Sequence, residues 1–96
     1  NGDRIEQLKS LIEYFLRKIQ SINIELIESK GPIQSIILPG NDAIKKVAEK
    51  IQKNGFDVRP ILSPTVPKGK ERLRICLHSF NSNIEVDNLI KLISSS

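Results

Sequence analysis

Ser63-Pro64-Thr65-Val66-Pro67-Lys68-Gly69-Lys70-Glu71-Arg72-Leu73-Arg74-Ile75-Cys76-Leu77-His78 is the stretch that decides the fold. A turn stiffened by two prolines runs into a basic glycine loop, and the loop feeds an alternating strand over 71–78. Successive side chains of a strand point to opposite faces. Leu73, Ile75 and Leu77 therefore share one face, and Arg72, Arg74, Cys76 and His78 share the other. The apolar face seats the strand on a core. The polar face presents two guanidiniums, a thiol and an imidazole to whatever lies across from it.

Outward from this strand, the other elements read as its support. Ile5, Leu8, Ile12, Phe15, Leu16 and Ile19 recur at helical spacing and predict an amphipathic helix over 3–20, with Asp3 as its N-cap. Residues 21–31 read as a connector ending at Gly31-Pro32. Ile33 to Leu38 is a short apolar run closed by Pro39-Gly40, the pattern of a central strand. Asn41-Asp42 caps a second helix, Ala43 to Asn54, whose buried stripe is Ile44, Val47, Ala48 and Ile51, and Gly55 ends it. Phe56 to Leu62 is a further strand, with Pro60 marking an edge or bend.

Beyond the strand 71–78, Ser82 with Glu85 forms a capping box for a last helix with the stripe Val86, Leu89, Ile90 and Ile93. Ser94-Ser95-Ser96 reads as a frayed end. The order α-β-α-β-β-α predicts an α+β, two-layer sandwich: a small, mainly antiparallel sheet with the helices on one face. Arg72, Arg74 and His78 then lie on the uncovered face.

Ninety-six residues make one domain, 1–96, with one modest core. The net charge of +4, from 15 basic and 11 acidic residues, permits an anionic partner without demanding one. Four lysines lie on the second helix. With aromatics at 4% and no nucleic-acid motif, they read as a solvated face rather than a nucleic-acid surface. A lone cysteine, Cys76, rules out an internal disulfide framework and a cysteine-based metal cluster, and fits a reducing, cytoplasmic setting. No apolar run is long enough to span a membrane. The chain begins without Met and contains none, which fits a piece of a longer protein.

No catalytic set closes on itself locally. Cys76 and His78 share a strand face two residues apart, and a buried thiol beside a surface histidine, rather than a nucleophile–base pair, is the plain reading of them. No metal-ligand spacing is present. Lys68-Gly69-Lys70 lacks the spacing of a phosphate-binding loop and reads as a solvated turn. Arg74 differs, because a guanidinium in mid-strand needs an anionic partner or solvent. A rigid strand also suits its planar fork to bidentate recognition of a carboxylate. A structural salt bridge and a ligand site both satisfy that requirement.

Pro64-Thr65-Val66-Pro67, Gly69 and Arg72-Leu73-Arg74-Ile75 together resemble the C-terminal signature of the α-oxoamine synthases. These are pyridoxal-phosphate (PLP) enzymes of the aspartate-aminotransferase fold. Pro32-Ile33-Gln34, Gly55 with Val58-Arg59-Pro60, and Ile84 to Leu92 with Asp87 extend the resemblance over residues 4–94. Two departures stand out: Ile61-Leu62-Ser63 lengthens the segment before Pro64, and Asn81 stands where many members have histidine.

The resemblance implies a C-terminal small domain whose PLP-binding large domain lies outside this chain. Arg74 matches the family's substrate-carboxylate arginine, and Thr65 a substrate-contacting threonine. PLP is expected in the parent enzyme and none on this segment alone, and neither Lys68 nor Lys70 takes the Schiff-base role. The substrates implied are an amino acid and an acyl-CoA. The nearest pattern is the biotin-pathway member, which joins L-alanine to pimeloyl-CoA with decarboxylation. Glycine C-acetyltransferase and 5-aminolevulinate synthase are the alternatives within the family. A homodimeric parent, a monomeric segment and no nucleic-acid or membrane partner complete the expectation. A free-standing α+β module that binds an anionic partner through the Arg72/Arg74 face is the reading from another class.

Overall fold

A computed structural model describes all residues but 1, 28, 30, 95 and 96. The far end of the expected frayed tail, Ser95-Ser96, and two connector positions, Glu28 and Lys30, lie outside the described residues. The elements are α1 (Gly2–Ile19), β1 (Leu26–Ile27), β2 (Ile33–Ile37), α2 (Asn41–Lys53), β3 (Asp57–Ile61), β4 (Arg72–Cys76) and α3 (Asn83–Ser94). The strands form one sheet in the order β1-β2-β4-β3, antiparallel throughout. The helices cover one face of it, as the α+β two-layer reading requires.

The alternation of β4 fixes both faces. Leu73, Ile75 and Leu77 are at most 4% exposed and point into the core with Ile36 of β2 and Val58 of β3. The helices close over them with Phe15 and Ile19 of α1, Ile44 and Ile51 of α2, and Val86, Leu89 and Ile93 of α3. α1 and α3 are also tied by a hydrogen bond of 2.7 Å that the Tyr14 hydroxyl donates to Asp87. Ile5 departs from the expected stripe of α1 and is 69% exposed. Leu11 is buried in its place.

β1 is an addition to the expected order. It is two residues long and exists because Leu26 and Ile27 pair with Ile36 and Ser35. The loop between β1 and β2 is pinned by Gln34, whose side-chain amide donates to the carbonyls of Ser29 and Gly31 at 2.8 Å each. β3 is an edge strand, which is where its Pro60 costs no ladder hydrogen bond.

The caps divide between expectation and correction. The capping box is present: Ser82 N–H donates to Glu85 at 2.7 Å, and Glu85 N–H to Ser82 Oγ at 3.2 Å. Gly55 ends α2 with φ 89°, a left-handed conformation open to glycine at no cost. Asp3 lies inside the first turn of α1 rather than before it. Asn41 does not cap α2. The cap position is Gly40, with φ 101° and no side-chain cap, and Asn41 is already helical. Its side-chain oxygen instead accepts from Ser63 N–H at 3.2 Å, across to the loop after β3.

A buried acid completes that junction. Glu71 is 2% exposed, and its Oε1 accepts from Gly40 N–H and Gly69 N–H at 3.0 Å each. Both donors belong to glycines with positive φ, 101° and 91°. A side chain at either would strain the backbone that aims the N–H. These bonds, led by that from Gly40, hold the Glu71 carboxyl below its ordinary pKa against the opposing effect of burial.

Two outcomes follow for stability. Phe15→Ala empties a fully buried site and should cost about 3–5 kcal/mol in chemical denaturation. Glu71 has a lowered folded pKa, so its contribution is present above its unfolded value of about 4.3 and is lost as pH falls through the folded one. Glu71→Gln should lower the denaturation midpoint at neutral pH and flatten its decline in acid. An unchanged acid limb would show that the clamp does not depend on charge.

Candidate functional site

The uncovered face of the sheet gathers its side chains by cross-strand register. Ser35 of β2 and Arg59 of β3 lie directly opposite Arg74 on either side. Ile33 and Asp57 flank Cys76 in the same way, and Ile37 and Ile61 flank Arg72. Arg74 is exposed, as expected of a residue reaching away from the core. Ile33, Asp57, Arg59, Arg74 and Cys76 line one depression on this face, about 300 Å³ in volume.

Arg74 and Arg59 form the electrostatic centre of this depression. Like charges directly opposite each other in an antiparallel pair are destabilising. Among the described residues no carboxylate lies within ion-pair distance of either guanidinium. The nearby acid, Asp57, is engaged elsewhere: its Oδ2 lies 3.0 Å from Nε2 of His78. The structural salt bridge, one of the two readings open for Arg74, is thus not formed among the described residues. Two planar forks facing solvent side by side are suited to an anion that both can grip.

Sequence reasoning named Arg74 and overlooked Arg59 as its companion. The local signal for Arg59 was its alternation with buried Val58, but the register that faces it to Arg74 is a tertiary choice.

Thr65 sits elsewhere. It is exposed in the loop 62–71 that joins β3 to β4, just after the cis Ser63–Pro64 peptide bond. That loop leaves the sheet where Ile61 pairs with Arg72, one side-chain layer from Arg74. Thr65 does not line the depression. The loop's two ends are held by Asn41 on Ser63 and by Glu71 on Gly69.

The thiol and the imidazole are brought together, as the strand alternation predicted, and a third group joins them. Asp57, Cys76 and His78 offer ligand atoms that all lie within 4.8 Å of one another. Burial, and then the charge of Asp57, push the Cys76 thiol pKa up, and Arg74 opposes them more weakly. The ring of His78 stacks on Phe80 at 4.9 Å between centroids and 6° between planes. Asn81, the departure from histidine noted above, accepts the His78 backbone N–H at 2.8 Å and closes the turn after β4.

A PLP aldimine lysine has to be desolvated to hold its neutral, nucleophilic form. Every described lysine is exposed. No described lysine therefore fits that role. No helix is long and apolar enough to cross a membrane.

Comparison with known proteins agrees with this geometry. The aminotransferase class I and II family profile matches residues 2–93. An 8-amino-7-oxononanoate synthase of Saccharophagus degradans is 38% identical over 92 residues, covering 95% of this chain and 23% of its own length. The enzyme of the same name from Herminiimonas arsenicoxydans is 38% identical over 97 residues, covering all of this chain and 25% of its own. The crystal structure of 8-amino-7-oxononanoate synthase from Francisella tularensis superposes with a TM-score of 0.83 at 26% identity, over 97% of this chain and 27% of that one. Serine palmitoyltransferase of Sphingomonas wittichii shares the fold, with a TM-score of 0.81 at 19% identity over 98% of this chain and 24% of that one. The chain spans about a quarter of the length of the curated relatives it matches. With an antiparallel sheet covered on one side, an arginine pair on the other and a family match along nearly its whole length, the chain belongs to the aminotransferase class I and II family.

Proposed function

We propose that this chain is the C-terminal small domain of a longer PLP-dependent acyltransferase, an 8-amino-7-oxononanoate synthase. The parent condenses an amino acid, L-alanine, with an acyl-CoA, pimeloyl-CoA, and releases CO2 and CoA in biotin synthesis. The observation that carries the reading is Arg74: an exposed guanidinium on a rigid central strand, opposed by Arg59 and with no carboxylate partner among the described residues. The curated relatives named above support the choice of enzyme. PLP, held by the large domain of the parent, supplies the electron sink for the amino-acid carbon.

The work of this domain is positional. Arg74 grips a substrate carboxylate through a charge-assisted, two-pronged hydrogen bond. Arg59 adds a second positive charge to the same depression. Thr65 contacts substrate from the tip of its clamped loop. The parent works as a cytoplasmic homodimer, and the segment alone is a monomer without turnover.

The test is Arg74→Ala in the full-length enzyme. A charge-assisted hydrogen bond contributes about 1.5–3 kcal/mol, so kcat/KM for the amino acid should fall at least about tenfold. Near-normal kinetics would remove Arg74 from the site. A gene whose reading frame starts near residue 1, with no upstream PLP domain, would instead favour a separate anion-binding module. At the level of this segment, Arg59→Gln relieves the cross-strand repulsion. Its denaturation midpoint should rise at low salt, and the gain should shrink as salt is added. An unchanged midpoint would mean that the two guanidiniums do not repel in solution.

A further inference from the structure

We propose that Asp57, Cys76 and His78 form a binding site for a zinc-class divalent metal ion on the uncovered face of the sheet. Each supplies a different donor: a carboxylate oxygen, a thiolate sulfur and an imidazole nitrogen. All three are ordinary zinc donors, and three protein ligands with one position left for water is a recurring arrangement for that ion. Thiolate and imidazole together select zinc, cobalt or nickel over magnesium and calcium, which prefer oxygen.

The geometry favours convergence. Asp57 and Cys76 are directly opposite on β3 and β4, and His78 follows two residues on, on the same face. His78 Nε2 lies 3.0 Å from Asp57 Oδ2. Two donors bound at about 2.0–2.1 Å to a tetrahedral zinc lie about 3.3 Å apart, so this pair has to open by only a few tenths of an ångström. The sulfur lies within 4.8 Å of both partners. In such a site it stands about 3.6 Å from them, so it has at most about 1.2 Å to close. The ring of His78 is already oriented, stacked on Phe80 with its backbone N–H held by Asn81.

Charge decides whether an ion is tolerated there. Arg59 on β3 and Arg74 on β4 line the same depression and oppose a cation, and β2 contributes apolar Ile33. Asp57 and the ionised thiol bring two negative charges into direct contact with the metal, which outweighs guanidiniums at longer range. Binding exchanges the thiol proton for the metal, and the proton leaves to solvent. Arg74 is not a ligand, so the site stands whether or not this face also binds a carboxylate.

Cobalt is the probe, because a thiolate bound to Co2+ gives an intense near-ultraviolet charge-transfer band, and tetrahedral Co2+ gives strong visible bands. Titrating the purified chain with Co2+ should produce both at one equivalent, and Zn2+ should abolish them. Zn2+ should also slow alkylation of Cys76. Cys76→Ser should eliminate the charge-transfer band. Loss of even an outer-shell partner weakens a metal about 10- to 100-fold, so His78→Gln and Asp57→Asn should each weaken cobalt by at least about tenfold. His78 and Asp57 reach the surface, and an unchanged far-ultraviolet circular dichroism spectrum shows that each variant is folded. The proposal is overturned if no charge-transfer band appears at millimolar cobalt. It is equally overturned if folded His78→Gln and Asp57→Asn bind cobalt as tightly as the parent chain.

Discussion

The antiparallel pairing of β4 with strands on both sides is the constraint on which the rest of this chain depends. Because β2 and β3 run against it in fixed register, every odd-numbered residue of β4 faces the helices and every even-numbered one faces away. A slip of one residue would exchange the faces and bury two arginines. Leu73 and Ile75, at most 1% exposed, hold the register against such a slip. The same hydrophobic burial that stabilises the fold thus places Arg74, Cys76 and their neighbours with the accuracy of a strand rather than of a loop.

The consequence is a division of labour between layers. The helices and the inner face of the sheet carry nearly all the apolar burial and no chemistry. The outer face carries two guanidiniums without a carboxylate partner among the described residues, and a thiol, carboxylate and imidazole in one place, a composition that contributes little to stability. Sites assembled from side chains that repel or lack partners are tolerated where the rest of the structure over-determines their positions. The loop holding Thr65 is the exception, since it hangs outside the sheet and is positioned by two hydrogen-bonded ends.

Much of this was legible along the chain. The β4 alternation, the stripes of α2 and α3, Gly55 and the Ser82–Glu85 capping box are signals contained within a few residues, where local physics decides. What the sequence left unread depends on meetings between distant residues. β1 is too short to have a pattern and exists through its partner. Asn41 carries a cap signature, yet its side chain is drawn to Ser63, 22 positions away. Glu71 looks like a surface acid of a basic loop and is buried by Gly40 and Gly69. Arg59 and Asp57 join Arg74 and Cys76 only once β3 takes its register. Family likeness suggested a role for Arg74 and Thr65; it took in Arg59 only as part of Val58-Arg59-Pro60, without a role, and did not single out the Asp57–Cys76–His78 cluster.

Glu71 also has a mechanical meaning. Its one carboxylate oxygen joins the backbone at the start of α2 to the backbone of the basic loop, and Asn41 joins the first residue of α2 to the loop's other end. The loop and the start of α2 are therefore fastened at two points, and Glu71 is itself held to the sheet, since its carbonyl accepts from Leu38 N–H at 2.9 Å. One residue thus knots helix, loop and strand together just ahead of Arg72, and the loop that carries Thr65 is referenced to the same backbone that carries Arg74.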